Sequence, residues 1–323
     1  MHAMIAQWAP PAERSVVSGV IYAGTALGTV GSTLLTGYLT AYMGWEWVFY
    51  LMALLAAPWC VFWMLWVSDS PDSARFISQQ ERDYIAAAKG ESVHGKRLPF
   101  PTRQVLSSLP FWAILVAHFC SNCGWYMILT ELPSFMKHVL HKNIKENAGI
   151  AAIPYFLMWV VSVVLATALD RLRTRGSITT STARKIATGI ASVIPAACLV
   201  GISFIKCDAD AGTALIIVAV TSIGGMFVGF LANHIDIAPN FAGMLMAITN
   251  TIATLPGIFV PMIVGHLTTG HQTLAQWSIA FYTIAALYAI MIIFYALCGS
   301  GEVQSWNNPK AEDEEEKYNI EDK

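Results

Sequence analysis

Polar and apolar positions alternate along this chain over tens of residues rather than within single turns. No acidic or basic residue occurs between Arg14 and Glu46, and the same holds across 47–68, 104–130, 147–169, 186–205 and 211–235. A longer uncharged run, 237–301, is divided by the polar break TTGHQTLAQW and leaves room for two helices and a turn. A helix needs about 20 apolar residues to cross the hydrocarbon core. The pattern therefore predicts an all-α integral membrane protein with about eight full spans. Composition agrees: 55% of residues are hydrophobic and 12% charged, against about 25% charged in ordinary soluble domains. A soluble fold buries a few fully apolar helices, not eight in succession.

Basic residues fix the expected orientation. Arg14, the loop cations Arg75, Arg82, Lys89, Lys96, Arg97 and Arg103, the second loop's Arg171, Arg173, Arg175, Arg184 and Lys185, and three tail lysines share one face. The other face holds only Lys137, Lys142, Lys145 and Lys206. Basic loops stay cytoplasmic, so the long loop and the C-terminus are expected there. The start is different. MHAMIAQW is apolar for about 12 Å of helix and lacks the basic, apolar and cleavage regions of a signal peptide. It reads as the last two turns of a span whose beginning is absent; an interfacial anchor is the alternative, without the basic face that would favour it.

These features divide the chain. Residues 1–67 read as the remainder of an N-terminal bundle, 68–104 as a cytoplasmic loop, 105–299 as a six-helix bundle and 300–323 as an acidic tail. A six-helix bundle after a long cytoplasmic linker suggests the second half of a twelve-helix transporter. Within the linker, SQQERDYIAAAK predicts a short surface helix. Gly24 and Gly28 have the G-x-x-x-G spacing of closely packed membrane helices. Pro58, Pro154, Pro195, Pro256 and Pro261 fall inside spans, where they kink helices and free carbonyls. The acidic run EDEEE reads as a solvated end. Six cysteines mostly lie within spans, and Cys120 and Cys123 lack the βαβ context of a redox motif.

Ionisable groups inside a membrane are costly and are functional candidates for that reason. His118 lies two turns into the third span, Glu131 near its far end, His266 near the end of the seventh and His2 in the stub. Each histidine is either a proton-exchanging group near neutral pH or a hydrogen-bonded packing residue, and Glu131 either works inside or reaches water. Tyr22, Ser121, Asn122, Tyr126 and Asn250 are polar or aromatic candidates for holding an organic solute, or helix–helix contacts. No nucleotide-binding loop, zinc motif or nucleophile elbow is present. An enzyme, an ATP-driven pump and a nucleic-acid binder are thus not expected.

The strings MHAMIAQWAPPAERS, YAGTALGTV, GWEWVFY, VSDSP, VAHF, NHIDIAPNFAG, ITNTIATLPG and GEVQSWN resemble sialin and its vesicular glutamate transporter relatives. These are anion–cation symporters of the major facilitator superfamily, and the likeness is nearest to the sialin branch. It runs from Met1 to about Trp306 and implies a twelve-helix fold entered near the end of the fourth helix. By this resemblance His2 matches a fourth-helix histidine linked to protons, Tyr22 a cavity tyrosine and Tyr126 an aromatic of the seventh helix. Asn122 matches sialin-like members, and Ser121 stands where glutamate carriers have an arginine. Asp170, Arg171 and Arg175 resemble a cytoplasmic conformational latch, and Asn233, His234 and Asp236 are read the same way. The first-helix arginine and fourth-helix carboxylates of the family lie upstream of Met1, and Trp125 and Glu131 depart from the pattern.

The implied function is proton-coupled export of small organic anions of the acidic-sugar type by alternating access, from a lysosomal or secretory-vesicle membrane. No cofactor is expected beyond the coupling proton, with sodium as the alternative ion. The expected partners are the anion and the lipid bilayer, with oligomeric state left open. A sodium–phosphate or glutamate carrier is the alternative within the family. A non-transporting membrane fragment is the alternative outside it.

Overall fold

The computed structural model describes residues 1–10, 13–89, 98–141, 148–205, 208–270 and 272–308, with the side chains of 2, 3, 14, 15, 89 and 148–151 left aside. Among these residues the chain is helical throughout. Helix α1 (His2–Trp8) precedes α2 (Arg14–Tyr42) and α3 (Glu46–Trp66), and the loop then carries α4 (Gln79–Lys89) and α5 (Thr102–Ser107). The expected linker helix is α4. Next, α6 (Leu109–Tyr126), a π-helical turn (Met127–Glu131) and α7 (Leu132–His138) run on as one span. Helices α8 (Ala148–Thr174) and α9 (Thr180–Ile202) are long and unbroken. Then α10 (Ala209–Ile223), α11 (Gly225–Val228) and α12 (Phe230–Ile237) make one broken span, and α13 (Ala242–Thr254) with α14 (Pro256–Thr268) makes another. Helix α15 (Leu274–Cys298) is the last. Eight spans are long and apolar enough to cross a membrane.

Breaks in the spans have local causes. Pro133 has no N–H to give to the carbonyl four residues back, and the helix widens into the π turn just ahead of it. Thr130 Oγ1 donates to the Tyr126 carbonyl at 2.8 Å inside that widened turn. Pro256 likewise opens the ladder between α13 and α14. Gly224 lies between α10 and α11 in close packing: a Cβ there would lie 2.6 Å from the Met158 carbonyl oxygen on α8.

The core lies in the second bundle. Helix α6 is buried on nearly every side by α13, α14 and α15, and α9 packs against both α10 and α15. Of the apolar window of Ala209–Ile237, 72% is buried, against 0% for Glu46–Trp66. Helix α3 turns Trp45, Trp47, Phe49 and Tyr50 outward at one end and Trp59, Phe62 and Trp66 at the other. Aromatics grouped near both ends of a span fit the two interfaces of a bilayer.

Helix α2 crosses α8 at Gly19, where a Cβ would lie 2.8 Å from Ala166 Cβ. The predicted close approach at Gly24 and Gly28 does not form: among the described residues, a Cβ at either meets nothing within 4 Å. The spacing puts both glycines on one face, and the crossing point falls a turn earlier.

The ends of the bundle are tied down. Trp8 Nε1 donates to the Ser68 carbonyl (3.1 Å), and the Tyr84 hydroxyl donates to Glu13 (2.8 Å). The Glu13 carboxylate raises the Tyr84 pKa by favouring the protonated phenol. After α15, the Gln304 amide donates to the Ile237 carbonyl (2.8 Å) and the Gly301 amide to Ser181 Oγ (2.7 Å). Asn240 Nδ2 donates to the Asn307 carbonyl and to Asn308 Oδ1 (both 2.9 Å), and its backbone amide donates to Asn307 Oδ1 at 3.0 Å. Cys120 and Cys123 are buried, unbridged packing residues of α6. Cys207, Lys142, Lys145, Lys206 and the tail from 309 onward, with its acidic run, lie outside the described residues.

Candidate functional site

Polar groups inside an apolar bundle need partners, and α12 supplies three within four residues. Successive helical positions are about 100° apart, so Asn233, His234 and Asp236 address three different neighbours. Asn233 Nδ2 donates to the Tyr295 hydroxyl on α15 at 2.8 Å. His234 Nε2 lies 2.8 Å from Thr249 Oγ1 on α13. Asp236 receives Arg184 from α9, through Nε at 2.5 Å and Nη2 at 3.2 Å. The third arm of that guanidinium, Nη1, donates to the Val228 carbonyl at 2.7 Å. Arg184 is 2% exposed, and Asn233 and His234 are fully buried. The result is a charged clamp at the basic end of the bundle.

A second cluster lies deeper. His118 Nδ1 is 3.2 Å from the same Thr249 Oγ1, so one hydroxyl bridges two histidines from different helices. His234 Nδ1 lies 2.9 Å from the Leu231 carbonyl. The two imidazole centroids are 6.2 Å apart, and Phe230 packs 5.6 Å from His118. All three side chains are buried.

The remaining candidates of α6 lie on the same helix beyond His118. Buried Ser121 makes a long contact of 3.7 Å to Met226 Sδ, and Asn122 Nδ2 donates to the Ala253 carbonyl at 2.7 Å. The Tyr126 ring packs against Gly257, where a Cβ would lie 3.1 Å from it. Glu131, half-buried in the π turn, accepts from Thr130 Oγ1 at 3.3 Å. It borders a void of about 20 Å³ lined by Trp277 and Phe281. Between α2 and the second bundle, Thr29, Thr33, Tyr155 and Thr213 edge an otherwise apolar cavity of about 210 Å³.

Other candidates stand apart. Tyr22 is half-buried between the main core and the small cluster formed by Ile5, Ala6, Ala9, Ile235 and Ala242. Asn250 is exposed, as is His266. His2 lies in α1, but its side chain is outside those described. Asp170 pairs with Arg173 at 2.7 Å, one turn away on the same face, while Arg171 and Arg175 are exposed.

Thr249, Arg184, Arg173 and Tyr295 escaped the sequence reading. Two of them left a signal. Thr249 continues the buried stripe Ala242, Leu245, Thr249, Ala253 of α13, and Arg184 stands on the small-residue face with Thr188, Ala191, Ser192 and Pro195.

Comparison with known proteins places this geometry. The family model for the Major Facilitator Superfamily matches residues 1–261. The chain belongs to that superfamily. It is 40% identical to sialin from Ovis aries over 306 residues, covering 95% of this chain and 61% of the relative. It is 36% identical over 321 residues to a putative inorganic phosphate cotransporter from Drosophila melanogaster, covering 98% and 60%. It is 34% identical over 313 residues to vesicular glutamate transporter 3 from Danio rerio, covering 96% and 53%. The chain thus spans about three fifths of the sialin and phosphate-cotransporter relatives. It is a multi-pass membrane protein, and the relatives are transporters rather than enzymes.

Proposed function

We propose that this chain carries the second bundle of a proton-coupled secondary transporter for small organic anions of the acidic-sugar type. The observation behind this reading is the buried, titratable His118–Thr249–His234 cluster, set beside Ser121 and Asn122 in an apolar bundle. Buried polar groups in a membrane span are costly and mark pathways for ions or solutes. The broken spans α10–α12 and α13–α14 supply the interrupted helices on which alternating access relies.

Ser121 supports the acidic-sugar class over glutamate, because the glutamate carriers of the resembled family have an arginine there to pair with a carboxylate. The likeness to sialin points the same way, toward a lysosomal or vesicular membrane. Clustered basic residues at one end favour a cytoplasmic C-terminus. The phosphate-cotransporter relative motivates a second substrate class, inorganic phosphate.

Uptake of radiolabelled N-acetylneuraminic acid into liposomes bearing the chain tests the reading, with unlabelled phosphate and glutamate as competitors. Saturable uptake that neither competitor blocks is expected. Inhibition by phosphate alone would move the substrate to that class, and no uptake would favour a non-transporting membrane protein.

A further inference from the structure

His118 and His234 entered as residues of separate kinds, one on the solute path and one in a conformational motif. The structure joins them through one hydroxyl. We infer that His118, Thr249 and His234 form a proton relay that loads His234 from the middle of the bundle and retains the proton there. The inference deepens the proton-coupled reading above and rests on it.

Hydrogen-bond polarity sets the direction. A carbonyl oxygen only accepts, so the 2.9 Å contact to Leu231 puts a proton on His234 Nδ1. In the neutral ring Nε2 is then an acceptor, and at 2.8 Å it takes the Thr249 hydroxyl proton. Thr249 Oγ1 is left to accept from His118 Nδ1–H at 3.2 Å. Both histidines are therefore Nδ1–H tautomers at rest, and His118 Nε2 carries the lone pair.

A proton arriving at His118 Nε2 makes that ring an imidazolium. The Nδ1 proton then passes to Thr249 Oγ1 as the hydroxyl proton passes to His234 Nε2. One proton has entered, two have each moved one place, and the positive charge sits on His234. The hydrogen bonds now point the opposite way. Reset needs the Thr249 hydroxyl to turn, and the Met246 carbonyl at 3.3 Å offers it a second acceptor. The His234 Nδ1 proton faces the Leu231 carbonyl, which can accept a hydrogen bond but cannot take the proton.

Position along the helices fits a link between depth and surface. His118 is nine residues into α6, about 14 Å, whereas His234 is three residues from the end of α12, about 5 Å. Ionisable groups on the elements packed around the pair are Cys120, Cys123 and Tyr126 on α6, Tyr22, Tyr38 and Tyr42 on α2, Arg184, Lys185 and Cys198 on α9, Asp236 on α12, His266 on α14, and Tyr282, Tyr288, Tyr295 and Cys298 on α15. Helix α1, which carries His2, packs against α12 and α13; Arg14 opens α2, and Arg103 lies on α5, which packs against α6. Arg184 and Asp236 are committed to each other, and Tyr295 receives Asn233. A charge arriving on His234 lands two residues from Asp236, on the helix that anchors the clamp.

The test uses the chain in liposomes with N-acetylneuraminic acid as probe. For wild type, Thr249→Val and Thr249→Ser, uptake driven by a pH gradient is divided by exchange of labelled for unlabelled probe. The ratio should fall at least about fivefold in Thr249→Val, the lower end of ordinary site-to-site coupling, and recover in Thr249→Ser. An unchanged ratio in Thr249→Val would overturn the relay. ¹⁵N-histidine NMR of the wild-type chain is the second arm and needs neither a variant nor transport. Two Nδ1–H tautomers whose titrations are linked support the relay. Nε2–H tautomers, or independent titrations, overturn it. Absence of wild-type uptake together with linked titrations would reject the transport reading and leave the relay standing.

Discussion

The clamp and the histidine cluster share α12, lie within a few residues of each other and are equally buried, yet they are built from different chemistry. The clamp is an ion pair: Arg184 gives Asp236 two hydrogen bonds and the Val228 carbonyl a third. Its cation is fixed, since a guanidinium does not release its proton. The histidine cluster is built from groups able to exchange a proton, and its two hydrogen bonds to Thr249 can each run in either direction. One motif, N-H-x-D, thus feeds a rigid tie on one side and a proton-exchanging chain on another. Burial alone does not separate structural from functional polar residues; the ability to trade a proton does.

The largest effect that separates the two should come from Asp236→Asn. It leaves the Arg184 charge buried without its partner and is expected to destabilise the bundle by about 3–5 kcal/mol. A lowered unfolding temperature in detergent, followed by size-exclusion chromatography, would register this; wild-type stability would show that the clamp holds nothing together. Next is Arg184→Lys, which keeps the charge but loses the fork and the reach to Val228. A loss of about 1–3 kcal/mol is expected, and full retention would reduce the clamp to simple charge attraction. Tyr295→Phe removes the hydroxyl that accepts from Asn233 and meets Thr188, and should cost about 1 kcal/mol. Smallest is Thr249→Ser, with an expected change under about 1 kcal/mol because the bridging hydroxyl survives. A larger loss there would mean that the threonine methyl packs the site and the bridge is incidental.

How much of this could be read from sequence depended on what the relevant pattern measures. Spans were legible because the membrane demands long apolar runs, and α4 was legible from its starting serine and mixed charged face. Family strings placed His234 and Asp236 together. What stayed hidden were cross-helix partners. Asn250 was the candidate on α13, but a 100° turn puts it outward and its neighbour Thr249 between two histidines. Resemblance grouped Arg171 and Arg175 with Asp170, whereas the residue that pairs with Asp170 is Arg173, three residues on and on the same face. Arg184 counted as one more basic loop residue, because hydropathy does not show that its helix has already entered the bundle. Gly24 and Gly28 had the right spacing for a close crossing, but spacing does not say where a second helix crosses.

The coupling of anion to proton is tested most directly by loading liposomes bearing the chain with a pH-sensitive dye and adding N-acetylneuraminic acid outside at equal pH. Acidification of the interior that follows probe uptake and is diminished in Thr249→Val is the expected result. Uptake of labelled probe with no change in internal pH would contradict it.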